Sequence, residues 1–240
     1  MQKLFVDFIP ENKIVLQGEQ ARHIGKSLRM KQGDMLTLSC ADGFDYGCII
    51  DEVTADEVRL SLCYKQANGS EPTVMVRLYQ GVPKGDKLED IIQKCTELGV
   101  SEITPVLTHR SVSRPDEKAA AKKNARYCKI ALEAAQQSGR GIVPKVNPMV
   151  SLKQAAEKDD SQLKILFYEG GGESLKSLIP ADIKSVSVYI GPEGGFEKQE
   201  VELIKEQGGV VATLGSRILR TQTAPVAALT AIMLLTGNLE

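Results

Sequence analysis

Three short glycine-rich stretches in the second half of the chain each follow a run of β-forming residues. They are Glu169-Gly170-Gly171-Gly172, Gly191-Pro192-Glu193-Gly194-Gly195 and Leu214-Gly215-Ser216-Arg217. Glycine lets backbone approach a ligand closely and adopt positive φ. In open α/β sheets, ligands sit beyond the carboxyl ends of the strands. One such loop is an ordinary turn; three at equivalent ends point to a small-molecule site. Neither G-x-G-x-x-G nor G-x-x-x-x-G-K-[ST] occurs, which excludes the dinucleotide and P-loop fingerprints. The stretch GVPKGDK at 81–87 is only superficially like a phosphate loop. Glu193, inside the tightest glycine loop, would repel a pyrophosphate. A phosphate-free, cationic nucleoside fits better, and S-adenosylmethionine has those properties.

Other chemistries are poorly provided for. There are two histidines, His23 and His109, and five cysteines without a C-x-x-C pair. No metal is expected, nor a disulfide framework, nor a hydrolase triad, and the cysteine pattern suits a reducing compartment. No signal-peptide core and no apolar run of membrane-spanning length is present, so a cytoplasmic protein without membrane contact is expected.

The elements that must position these loops follow from periodicity. Residues 1–70 read as short strands (Leu36–Ser39, Gly47–Val53, Glu57–Tyr64) around one helical stretch, Gly18–Met30, which predicts a small β-barrel domain. The polar run at 66–72 reads as a linker. A second domain over 73–240 alternates strands and helices. Val74–Tyr79, Ile103–Leu107, Lys164–Tyr168, Ser185–Ile190 and Val210–Leu214 are the expected strands. Lys87–Leu98, Ala119–Gln137, Glu197–Gln207 and Pro225–Leu235 are the expected helices. That rhythm predicts an α/β fold with a mostly parallel sheet covered on both faces.

A net charge of -1 announces no nucleic-acid partner. Charge is nevertheless unevenly placed: residues 110–145 carry nine bases against three acids. Arg22, Lys26 and Arg29 fall at i, i+4, i+7, one face of a helix. Lys118, Lys122, Arg126 and Lys129 share another face, which either binds phosphates or simply solvates a helix. Arg110, Arg114 and Arg140 lie on or beside loops, where their planar donor forks suit RNA.

The strings IGPEGGFEKQEVELI (190–204) and VATLGSRILRTQTAPVAAL (211–229) resemble the RsmE-type 16S ribosomal RNA (uridine-N3) methyltransferases, of the SPOUT class. GVPKGDKLEDIIQKCTELGV, the RSV at Arg110–Val112 and AAQQSGRGIVP match in order, and RHIGKSLRMKQGD (22–34) matches more loosely. The resemblance implies a SPOUT-type parallel sheet closed by a C-terminal trefoil knot, an exception to the rule against knotted chains. A small PUA-like RNA-binding barrel precedes it. It implies S-adenosylmethionine held by Gly191, Glu193, Gly194, Gly195, Leu214, Gly215, Ile218 and Leu219, with Tyr168 and Glu169 walling one side. Arg22, Lys26, Arg29, Lys84, Lys87 and Arg114 are the expected RNA contacts. A homodimer is implied as well, in keeping with a closing helix that is apolar almost all round.

The implied reaction is methylation of N3 of one uridine, position 1498 of 16S ribosomal RNA, in the free RNA or the small ribosomal subunit. N3 lies on the Watson–Crick edge, so the base must be unpaired or extruded. Arg220 and Arg140 are the candidates to stabilise the uracil imide anion, with Arg110 on the adjacent phosphate. Gln222 stands where the family usually has glutamate and Ser216 where proline is frequent. Glutamine cannot accept the proton, so it stays outside the catalytic set. The competing readings are a SPOUT enzyme of other specificity (ribose 2′-O or transfer RNA) and a non-catalytic ribosome-assembly factor.

Overall fold

The computed structural model describes residues 2–239; Met1 and Glu240, the outer ends of the two expected spans, lie outside the described residues. The chain divides into two compact units: residues up to 71 together with 135–143, and 72–134 together with 144–240.

The first unit contains β1 (Gln2–Phe5), β2 (Lys13–Gln17), α1 (Gly18–Arg22), β3 (Met35–Ser39), β4 (Phe44–Val53) and β5 (Glu57–Ala67). Its five strands pair in the order β1-β3-β4-β5-β2, parallel only between β1 and β3. Irregular register at Gly47/Cys48 and Ile50/Glu52 bends β4 and curls the sheet. The result is a curled half-barrel with two edges. Alternating apolar residues such as Leu36, Leu38, Ile50, Val58 and Leu60 fill its concave side with Leu16 and Ile24.

The helical stretch at Gly18–Met30 is shorter than expected and irregular. After α1 the chain widens into a π-helical turn, His23–Ser27, and Arg29 leaves it at φ 54. A wide turn shifts the helical phase. Arg22, Lys26 and Arg29 are all exposed, but they do not form the single straight stripe that their spacing predicts.

The expected linker is built into the first unit. Asn68 Nδ2 donates to Asp45 (2.8 Å) and Ser70 Oγ donates to the Gly139 carbonyl (3.0 Å). Buried Lys3 donates to Asp45, to the Gly139 carbonyl (2.9 Å) and to the Arg140 carbonyl (3.0 Å). Glu71 receives the Arg140 guanidinium as a fork, Nε at 3.2 Å and Nη2 at 2.7 Å, and also accepts from Gly141 N and Ile142 N.

The second unit contains β6 (Met75–Gly81), α2 (Lys87–Glu97), β7 (Glu102–Leu107), α3 (Glu117–Gln137, its last turn counted with the first unit), β8 (Lys145–Val146), β9 (Val150–Ser151) and α4 (Leu152–Lys158). It continues with β10 (Leu163–Phe167), β11 (Glu173–Ser174), α5 (Leu175–Leu178), β12 (Ser185–Ile190), α6 (Lys198–Glu206), β13 (Val210–Thr213) and α7 (Thr223–Leu235). The strands run in the order β11-β13-β10-β12-β6-β7-β8, with β9 also beside β7. Every pairing is parallel.

One helical layer is α2, α5 and α7; the other is α4 and α6. The pleat supplies both. Tyr79 and Tyr189 stack at 4.6 Å under α4 and α6, while their neighbours Leu78 and Val188 are buried on the opposite face. Among the described residues, no helix is long and apolar enough to cross a membrane.

Candidate functional site

The carboxyl ends of β10, β12 and β13, three adjacent strands, open into a cavity of about 430 Å³. Its walls are Phe167–Glu169 after β10, Ile190–Glu193 with Gly195 and Phe196 after β12, and Thr213–Thr221 with Ala224 after β13. This volume lies within the range of roughly 300–1,000 Å³ usual for small-molecule pockets.

Local chemistry shapes each wall. After β12 the chain makes a tight turn in which Gly195 N donates to the Pro192 carbonyl (2.9 Å) and Gly195 takes φ 67. Side chains would close it: a Cβ at Gly191 would stand 3.0 Å from Gly195 Cα, and one at Gly195 2.8 Å from Glu169 Oε2. After β13, Gly215 takes φ 99 and its N–H donates to Thr213 Oγ1 (3.1 Å). Beneath, Thr221 Oγ1 donates to the Gly191 carbonyl (2.9 Å), and the fully buried Gln80 amide donates to Thr221 Oγ1 (3.1 Å). That one amide ties together the ends of β6 and β12 and the segment entering α7.

Of the ten residues expected to hold a donor, nine line the cavity: Tyr168, Glu169, Gly191, Glu193, Gly195, Leu214, Gly215, Ile218 and Leu219. Gly194 does not; its carbonyl accepts from Arg110 Nη1 at 2.6 Å. Glycines 170–172, the third glycine loop, also lie outside the wall. Gly172 instead allows a close pass of β13, where a Cβ would meet the Val211 carbonyl oxygen at 2.6 Å.

The two carboxylates differ in kind. Glu193 binds Lys87 Nζ (2.5 Å) and accepts from Lys84 N (3.3 Å). Desolvation pushes its carboxyl up, but Lys87 and the backbone N–H groups of Glu193 and Lys84 outweigh it and hold the pKa below the ordinary value. Its charge is balanced by Lys87 at the start of α2, so Glu193 does not repel a phosphate as its place in the glycine loop suggests. The carboxylate left for a ligand is Glu169, exposed over Gly195 and without a hydrogen bond or ion pair among the described residues. Backbone groups, one unpaired anion and apolar Phe167, Ile190, Phe196, Leu214 and Leu219 suit a nucleoside carrying positive charge.

The basic residues are dispersed. Arg220 lines the cavity beside Arg217; both are exposed, and neither guanidinium has a partner among the described residues. Arg140 is buried within the first unit with its guanidinium on Glu71, which corrects the expectation that it is available to the uracil anion. Arg114 is engaged by the Thr108 carbonyl (2.7 Å), and Lys87 by Glu193. Lys84 is exposed at the loop before α2.

Sequence reasoning passed over Thr221, Gln80 and Arg217. Arg217 and Thr221 sit within the motif already singled out, whereas nothing local marks Gln80.

The RNA methyltransferase domain family matches residues 70–233, and the RNA methyltransferase PUA domain family matches residues 16–63. The chain is 37% identical to the ribosomal RNA small subunit methyltransferase E of Bacillus subtilis (strain 168), over 97% of this chain and 96% of that one. Its fold is similar to that of a ribosomal RNA small subunit methyltransferase E from Neisseria gonorrhoeae bound to S-adenosylmethionine, with TM-score 0.90, 29% identity and 98% of each chain covered. A methyltransferase from Legionella pneumophila, solved with its bound cofactor SAM, is similar at TM-score 0.88 and 30% identity, over 97% of this chain and 96% of that one. Likeness over both units, in sequence and in fold, places the chain in the ribosomal RNA small subunit methyltransferase E family.

Proposed function

We propose that the protein methylates N3 of a specific uridine in 16S ribosomal RNA, in the cytoplasm and as a homodimer, with S-adenosylmethionine as donor. The observation that carries the reading is the cavity itself: apolar side chains and backbone groups at three parallel strand ends, with one exposed carboxylate, Glu169, on its wall. A bound donor would supply an electrophilic methyl group on a cationic sulfur.

This chain's own contribution is placement and charge. Gly191, Gly195 and Gly215 bring backbone within reach of the ligand, and Glu169 answers its positive charge. Arg220, exposed at the rim, stabilises the uracil imide anion formed when N3 loses its proton. Gln222 cannot serve as the base, and the proton leaves to solvent. Opposite charges cancel as the new bond forms, so a dry, well-oriented site favours the step.

Arg140 has no part in this scheme. The exposed bases Arg22, Lys26, Arg29 and Lys84 contribute to holding RNA, and the knot implied by the resemblance belongs to the same proposal. A mostly apolar α7 with Leu234 57% exposed supports the homodimer.

The test is in two parts. Calorimetry should show S-adenosylmethionine binding to the purified protein. Small-subunit RNA from a strain lacking the gene, treated with protein and donor, should then yield 3-methyluridine in nucleoside mass spectrometry. Ribose-methylated nucleosides would favour the other SPOUT specificity, and absence of donor binding would favour the assembly factor.

A further inference from the structure

The turn at 191–195 is held from behind as well as lined in front. The peptide unit joining Gly194 to Gly195 is planar, so its carbonyl and its N–H rotate together. Its N–H donates to the Pro192 carbonyl (2.9 Å), and its carbonyl accepts from Arg110 Nη1 (2.6 Å). Between two glycines such a peptide is otherwise free to rotate. The alkyl part of Arg110 covers Gly194 closely: a Cβ there would lie 3.1 Å from Arg110 Cβ and 3.2 Å from Cδ.

Arg110 is itself braced. Its Nε lies 3.6 Å from Glu197 Oε1, which also receives His109 Nδ1 at 3.0 Å. Glu197 precedes α6 and shares a capping box with Glu200, and Glu200 Oε1 accepts from His109 N (2.8 Å). The loop carrying Arg110 is closed in turn by Thr108 and Ser111 and by Arg114 on the Thr108 carbonyl. A continuous strut thus runs from the end of β7 to the back of the turn.

We infer that Arg110, braced by Glu197, is a positioning residue that sets affinity for the methyl donor by fixing the Gly194–Gly195 peptide. It acts through the turn, and needs no RNA to do so. This rests on the reading that the cavity takes S-adenosylmethionine. An exposed arginine of this kind adds little to global stability, so affinity and stability should separate.

The experiment is calorimetric titration of RNA-free protein with S-adenosylmethionine, alongside thermal unfolding, for wild type, Arg110→Ala, Arg110→Lys and Glu197→Gln. Arg110→Ala should weaken donor binding about tenfold, the scale of one lost charge-assisted hydrogen bond. Its Tm should stay within about 2 °C of wild type. Arg110→Lys, which keeps a donor for the carbonyl, should recover part of the affinity, and Glu197→Gln should fall between. In turnover, KM for the donor should rise by a larger factor than kcat at saturating donor falls. Unchanged donor affinity in Arg110→Ala, with only RNA binding reduced, would overturn the inference and leave the proposed function standing. A Tm loss that accounts for the affinity loss would overturn it too. Absence of donor binding by wild type would overturn both.

Discussion

Gly195 answers two demands that no residue type with a side chain could meet there. It takes φ 67, and a Cβ there would stand 2.8 Å from Glu169 Oε2. Gly195→Ala should therefore cost about 1–2 kcal/mol from the left-handed backbone and displace the cavity carboxylate. The expected outcome is a lower Tm and at least tenfold weaker donor binding by calorimetry. Glu169 itself answers the ligand's charge. Glu169→Gln should weaken S-adenosylmethionine more than S-adenosylhomocysteine, whose sulfur is neutral, and paired titrations should show that preference shrink. Equal weakening of both would remove Glu169 from contact with the cation. The glycines were legible because their conformational role is intrinsic. The division of labour between Glu169 and Glu193 was not, because the lysine that neutralises Glu193 lies 106 residues earlier in the chain.

Elements with a strong period are the ones a sequence declares. Helices α2, α3, α6 and α7 and strands β6, β7, β10, β12 and β13 all fall within a few residues of their expected bounds. Strands of two residues, such as β8, β9 and β11, have no period to detect. The π-helical turn after α1 was hidden for a related reason: its spacing of bases matches an ordinary helix until the backbone widens. Helix α7 carries no charged residue, and its buried side, Ala228, Leu229, Ile232 and Met233, accounts for only part of its apolar surface. Leu234 stands exposed on the remainder. With the proposed homodimer using that surface, Leu234→Glu should shift sedimentation equilibrium toward monomer with the unfolding transition kept. A variant that stays dimeric would move the interface elsewhere.

At the scale of the whole molecule, the break near residue 71 was visible as a change from short strands to strand–helix alternation. The return of 135–143 to the first unit was not, since membership of that kind is decided by partners distant in sequence. Arg140 shows the cost of reading it linearly: its motif suggested RNA, and its side chain is 4% exposed against Glu71. Glu71 accepts the Arg140 fork and the N–H groups of Gly141 and Ile142, and hydrogen bonds to a charged group contribute about 1.5–3 kcal/mol each. Glu71→Ala should lose stability on that order in urea unfolding, and a loss below about 1 kcal/mol would mean the pair is not the anchor described.

That anchor also sets a timetable. N-terminal portions of a chain commonly fold while the rest is still being made, at roughly 5–20 residues per second. Here the ammonium of Lys3 has two of its carbonyl acceptors at positions 139 and 140. Strand β1 therefore waits, on the order of ten seconds, for residues up to 137 positions further along before its unit can close.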